Sequence, residues 1–110
     1  MIQITVPDLN DSIGRIELNG VQFFIRFTYN TSYDYWSFGF YDKAMKPLLP
    51  MHKIVPNYSL TDWYTYTDFP QGSFGTVTSL DRIGRKDFLE ERAKFYFATK
   101  EEVEEYLANA

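Results

Sequence analysis

Side chains that could perform acid–base or nucleophilic chemistry are sparse in this 110-residue chain. The one histidine, His52, lies in a segment flanked by prolines, and an imidazole offers a general base or a metal ligand. A nucleophile relay also needs a fixed serine or cysteine and an orienting acid. The chain has no cysteine, and no serine lies in a sharp turn of the nucleophile type. The pattern therefore favours a polar His52 on a partly exposed strand over a catalytic one.

Carboxylates do not form a recognisable site either. The adjacent pairs Glu90-Glu91 and Glu104-Glu105 are typical of solvated charge runs rather than of a glycosidase pair. Zinc would need more histidine or cysteine ligands, and residues 8–12 lack the distal glutamate of a calcium loop. We therefore predict no catalytic residue, no metal and no cofactor.

Phosphate and nucleic-acid binding are disfavoured as well. The glycines at Gly72 and Gly84 are not followed by the Lys-Ser/Thr pair of a phosphate loop. The net charge is −4, and the arginines and lysines are scattered among acids. A nucleic-acid partner would require a basic stripe or groove.

Length and composition indicate one small domain. A chain of 13.0 kDa has enough residues for a self-sufficient core, and no linker or repeat divides it. The absence of cysteine excludes a disulfide scaffold. The first residues lack the basic and apolar regions of a secretory signal, and no apolar run reaches the length of a membrane span. We therefore expect the protein to be located initially in the cytosol.

The elements that must position any site are mostly strands. Aromatic residues make up 19% of the chain, and many occupy alternate positions, which lie on one face of a strand. One such set is Val21, Phe23, Ile25, Phe27 and Tyr29, and the next is Trp36, Phe38 and Phe40. We expect the two sets to pack against each other across an antiparallel ladder.

The rest of the chain continues this pattern. Predicted strands cover residues 1–6, 13–18, 21–30, 35–41 and 73–80, and residues 47–56, with three prolines, form an edge strand or an irregular arm. Residues 88–97 fit either helical spacing or strand alternation, and we favour a final strand over residues 92–98. Asn19-Gly20 predicts a type I′ hairpin turn. The fold class is mostly β, a small antiparallel β-barrel or roll with a short C-terminal helix. We expect a single domain over residues 1–110, with a β core at 1–98 and a helix or tail at 99–110.

The C-terminal helix has a clear start signal. Thr99 and Glu102 have the spacing of a capping box, and the acids of the first turn suit the helix dipole. The helix is predicted over residues 101–108.

Several rings remain that the predicted core face does not use. They are Phe24, Tyr33, Tyr35, Tyr41, Tyr58, Trp63, Tyr64 and Tyr66. The last four cluster in a polar segment, where they either cap an open end of a small barrel or form a protein-protein or sugar-stacking surface, since tyrosine and tryptophan are enriched at interfaces.

The order of these motifs resembles a known family, the small baseplate plug proteins of contractile-tailed bacteriophages, described from a cyanophage and called LysM-like in some prophages. The resemblance runs over about residues 10–97 through short turn and strand motifs. They are Leu18-Asn19-Gly20, Phe24 to Asn30, Tyr35 to Phe38 with Tyr41-Asp42, Pro47-Leu48-Leu49, residues 54–60, Pro70-Gln71-Gly72, Arg85 to Phe88, and Phe95-Tyr96. The acidic tail from Thr99 to Ala110 is not part of this pattern.

The resemblance implies a structural role without catalytic residues. Such a plug would sit in several copies in the virion, in the central tail baseplate beneath the tail tube with hub and spike proteins, after assembly in the host cytoplasm. We therefore expect contacts with other tail proteins through the predicted interface residues, which are Tyr58, Trp63, Tyr64, Tyr66, Tyr106 and Leu107.

Two other functions stay open on the residues alone. One is a carbohydrate-binding, peptidoglycan-binding LysM-like module, although true LysM domains are βααβ units of roughly half this length. The other, a small hydrolase, has the least support from the residues.

Overall fold

A computed structural model describes residues 2–56 and 72–108, apart from the side chains of Val103 and residues 106–108. Seven strands and one helix follow in order. They are β1 (Ile2–Ile4), β2 (Asp11–Leu18), β3 (Val21–Asn30), β4 (Tyr35–Asp42), β5 (Pro47–Lys53), β6 (Gly72–Thr78), β7 (Ala93–Thr99) and α1 (Lys100–Ala108). The chain is therefore mostly β, as predicted.

The strands form two antiparallel sheets. The larger has the order β2-β3-β4-β5 and the smaller the order β1-β7-β6. No strand pair among residues 2–56 and 72–108 joins one sheet to the other, so the sheets are not closed into a barrel. The predicted barrel or roll is not confirmed.

The β2–β3 hairpin has the predicted turn. Asn19 and Gly20 have φ angles of 53° and 78°. Both central residues therefore adopt the left-handed backbone conformation that a type I′ turn requires. Leu18 pairs with Val21 across it, and this local turn sets the register of the whole hairpin.

The predicted alternation defines the core face of β3 and β4. Phe27 pairs with Phe38 and Tyr29 with Trp36 across the ladder, and all but Tyr29 of these four are buried. Tyr29 packs on the core from its margin. Val21 departs from the prediction because it follows the hairpin turn directly, and it is 51% exposed.

Aromatic rings join the two sheets. Phe38 of the larger sheet lies 5.4 Å from Phe74 and 5.1 Å from Phe95 of the smaller sheet, measured between ring centroids. Phe27 meets Phe95 edge to face at 5.3 Å. Tilted and edge-to-face contacts are the favourable ring arrangements, so the core lies between the sheets.

The proline-rich segment forms an edge strand, as expected. β5 is the last strand of the larger sheet, and its pairing with β4 has two register shifts. Leu49 is its buried anchor. Because proline cannot donate to a ladder, Pro47 and Pro50 suit this position.

The C-terminal elements also follow the sequence signals. The last strand and the helix each start within one residue of the predicted position. The Thr99 N–H donates to Glu102 Oε1 at 3.1 Å, and the Glu102 N–H donates to Thr99 Oγ1 at 3.2 Å. The capping box is thus confirmed, and it starts α1 beside β6 and β7.

Truncating a ring between the sheets should be costly. We expect Phe38→Ala to lower the free energy of unfolding by about 3–5 kcal/mol, because it leaves a cavity where two sheets meet. Urea unfolding measures this. The control, Val77→Ala, changes a side chain that is 58% exposed and should stay within about 0.5 kcal/mol. Equal losses in both variants would contradict this location of the core.

Candidate interaction surfaces

The outer face of the larger sheet carries rings that the core does not use. Pairing places Arg15 beside Phe24 and Phe24 beside Tyr41, so these side chains form one row across three strands. Tyr35 stands at the end of the same face, and all three rings are half-buried. They are three of the surplus rings of the sequence.

Cations cover two of these outer rings. The Arg15 guanidinium lies 5.8 Å from the centre of the Phe24 ring, and the Lys53 ammonium lies 5.1 Å from that of Tyr35. At exposed sites such contacts contribute about 0.5–1 kcal/mol each. The outer face is therefore an amphipathic layer of rings and charges rather than a bare apolar patch.

An ion pair fixes the middle of this face. Arg26 donates to both carboxylate oxygens of Asp11, at 2.9 and 2.7 Å. The hydrogen bond from Arg26 lowers the pKa of Asp11. The pKa of Arg26 is raised, mainly by its hydrogen bond with Asp11 and to a smaller extent by that with the Tyr41 hydroxyl. Two parallel hydrogen bonds give the pair a fixed orientation. Because both side chains are well exposed, at 40% and 57%, the pair adds little stability.

A second cluster ties the loop between β6 and β7 to the core. The Trp36 Nε1–H donates to the Gly84 carbonyl at 3.1 Å. The Arg85 guanidinium lies 5.3 Å from the centre of the Trp36 ring and 5.9 Å from that of Tyr29. Arg85 also donates to Asp8 at 2.7 Å. One guanidinium thus joins the loop, the core margin and the segment after β1.

Asp87 organises the same loop from within. Its carboxylate accepts the Gly84 N–H and the Arg92 Nε–H, the latter at 2.7 Å, and its side chain is only 14% exposed. Partial burial raises the pKa of Asp87, but the hydrogen bonds from Gly84 and Arg92 outweigh it, so the net pKa is lowered. The carboxylate is therefore held in its charged form.

A groove lies where this loop meets the smaller sheet. Its volume is about 450 Å³, and the ends of β1 and β7 and residues 88–91 line it. Buried Ile4 and Phe95 contribute the apolar part and Glu90, Glu91 and Lys94 the charged part. Glu90 and Glu91, the adjacent pair considered in the sequence analysis, lie on this groove.

The predicted interface residues are not placed. Tyr58, Trp63, Tyr64 and Tyr66 lie outside the described residues. The backbones of Tyr106 and Leu107 belong to α1, but the positions of their side chains are not described. Their role in contacts with other chains stays a prediction.

His52 has a neighbour typical of a packed strand residue. Its ring centroid is 6.4 Å from that of buried Phe38, edge to face. Within residues 2–56 and 72–108, no group of three or more His, Cys, Asp or Glu side chains could hold a metal ion. In the same part of the chain, no helix is long and apolar enough to cross a membrane.

The loop cluster was missed by the sequence analysis. Gly84 and Asp87 have the spacing of a side chain that accepts a backbone N–H within one turn, and this signal was available. The partners of Arg85 were not, because Trp36 is about fifty positions away along the chain and only the fold brings them together.

Comparison with known protein families gives a match over most of the chain. The family model described as the cyanophage baseplate Pam3 plug gp18 matches residues 1–101. No curated protein matches the chain. The chain therefore belongs to the baseplate plug family, and the resemblance stated from the motifs is confirmed. Membership indicates a structural role in a phage baseplate.

Removing the charge of Asp87 should loosen the loop. We expect Asp87→Asn to cost about 1–3 kcal/mol of unfolding free energy at neutral pH, because a largely buried charged acceptor is lost. Since the folded pKa is lowered, the wild-type advantage is full above about pH 4, the pKa of an unfolded aspartate, and disappears as the pH falls through the folded value. Urea unfolding between neutral and acid pH measures it.

The matched control is Asp81→Asn in the same loop. Asp81 is exposed, and its substitution should stay within about 0.5 kcal/mol at every pH. A cost for Asp87→Asn that does not change with pH would show that the carboxylate is not held charged.

Proposed function

We propose that this chain is a non-enzymatic structural subunit of a contractile-tail baseplate, from a phage or prophage, where it plugs the centre. Several copies would contact the hub, spike and tail tube proteins of the virion after assembly in the host cytoplasm. The observation that carries the proposal is the family match over residues 1–101.

The described surface is compatible with a subunit held by neighbours. Rings with covering cations on the outer sheet face supply both apolar area and charge, and aromatic and arginine side chains are the types enriched at protein interfaces. The predicted contact residues Tyr58, Trp63, Tyr64, Tyr66, Tyr106 and Leu107 extend the same chemistry.

The carbohydrate-binding alternative has less support. A LysM-like module would be a βααβ unit, whereas the described residues contain seven strands and a single helix. The outer rings are covered by cations from their own chain, and this lowers the free ring area on which a sugar could stack.

Substitution of the predicted contact rings should separate assembly from folding. In co-expression with the neighbouring hub, spike and tube proteins, we expect the wild-type chain to co-purify with at least one of them. Trp63→Ala and Tyr64→Ala should each weaken the affinity for that tail protein by about tenfold or more, as at interface hot spots. The unfolding midpoint of the chain should change little.

Tyr33→Ala is the control, since this ring is 76% exposed and lies outside the predicted set. A chain that binds none of the tail proteins would contradict the proposed function. Collapse of the isolated Trp63→Ala chain would show that this ring is core instead, and retention on peptidoglycan would favour the alternative.

A further inference from the structure

β2 is a long strand at the edge of the larger sheet, and no other described strand covers it. It has eight residues, its pairing with β3 is continuous, and within the described residues no strand pairs with its other side. The opposite edge, β5, has two prolines and two register shifts. Such features protect an edge from pairing with another chain, and β2 has neither.

The free backbone groups of this edge can be assigned. The Tyr29 N–H donates to the Asn10 carbonyl at 2.8 Å, so these two residues form a hydrogen-bonded pair of the ladder. Such pairs alternate along antiparallel strands. The N–H and C=O groups that point away from β3 are therefore those of Asp11, Ile13, Arg15 and Glu17.

The side chains of these four residues also share one face. They pair with the outer-face residues of β3, and all four are exposed. Ile13 is 52% exposed and stands between acidic Asp11 and basic Arg15. The edge thus presents the pattern acid, apolar, base at alternate positions.

We propose that β2 is a strand-addition site for a second copy of this chain, which pairs antiparallel about a two-fold axis through Ile13. In this register, Asp11 of each copy faces Arg15 of the other, and the two Ile13 side chains meet at the centre. The strand pattern is self-complementary, as an isologous contact requires, and opposite charges across a ladder stabilise the pair.

Neighbouring registers are less favourable. Centring the axis on Gly14 would give one more hydrogen-bonded pair, but Asp11 of each copy would then face Glu17 of the other. Centring it on Arg15 would bring two guanidiniums together. An axis through Ile16 pairs Arg15 with Glu17 but leaves only two hydrogen-bonded pairs inside β2. The Ile13 register combines three such pairs with two opposite-charge contacts.

The surroundings of Asp11 fit this arrangement. Its carboxylate already accepts two hydrogen bonds from Arg26, and in the dimer it would lie between two guanidiniums. The Arg15 guanidinium rests over Phe24, at the same edge. The two larger sheets would become one continuous sheet, with Ile13 covered.

This pairing goes beyond the proposed function and does not depend on it. A two-fold pair describes the chain free in solution, whatever the position of the copies in a baseplate. Failure of the dimer would leave the baseplate assignment intact, and failure to bind tail proteins would leave the dimer intact.

The experiment is sedimentation and hydrogen exchange on the full chain alone, from about 10 µM to about 1 mM, the range of weak and transient contacts. We expect a monomer–dimer equilibrium, with slower exchange at higher concentration for the amides of Ile13 and Arg15. Ile13→Pro removes an N–H that β3 does not use, and Arg15→Glu places two acids opposite each other. Each should weaken dimerisation by about tenfold or more.

Two controls make the result specific. Lys94→Glu makes a charge change of the same size as Arg15→Glu on the other sheet and should leave dimerisation unchanged. An equimolar mixture of Arg15→Glu and Asp11→Arg chains restores both opposite-charge contacts across the ladder, so the mixed dimer should form more tightly than either variant pairs with itself. Because Asp11→Arg also removes the ion pair with Arg26, the mixed dimer should remain weaker than the wild type.

Several results would overturn the proposal. These are a monomer at the highest concentration with unchanged amide exchange, a dimer that tolerates both Ile13→Pro and Arg15→Glu, or a mixture without rescue. If the chain alone stays monomeric and Ile13→Pro abolishes capture by a tail protein, the occupant of the edge is that protein and not a second copy.

Discussion

Ring packing between the two sheets is the interaction on which the rest of the structure depends. No backbone ladder connects the sheets within residues 2–56 and 72–108, so side-chain burial must hold them together. Phe38 contacts Phe74 and Phe95 from the opposite sheet, and all three rings are fully buried. Apolar burial contributes most of the free energy of such an arrangement, and ring geometry adds about 0.5–1.5 kcal/mol per pair.

Trp36 connects this core to the loop between β6 and β7. Its ring is buried, yet its N–H reaches the Gly84 carbonyl and its face supports Arg85. A buried indole needs a partner for its N–H, and the loop supplies one. In this way a requirement of the core fixes residues 84–87, and the surface charges Asp8 and Arg85 take their positions from it.

Local signals predicted the parts of the fold that local physics determines. The Asn19-Gly20 turn, the alternation in β3 and β4 and the Thr99–Glu102 cap each depend on residues within one element or one turn. The two-sheet arrangement and the Arg85 cluster depend on contacts between distant residues, which no short pattern encodes. The open edge of β2 belongs to the same class. Its alternation is that of any strand, and only the strand order shows that no described strand pairs with its other side.

The structure also changes what the surplus of rings means. Phe24 and Tyr35 are covered by cations of their own chain, and Tyr41 interacts with Arg26, so these rings do not by themselves require a partner. A free strand edge is different, because its backbone N–H and C=O groups can be satisfied only by water or by another strand. For the described residues, the strongest reason to expect another chain is therefore the backbone of β2 and not the aromatic count.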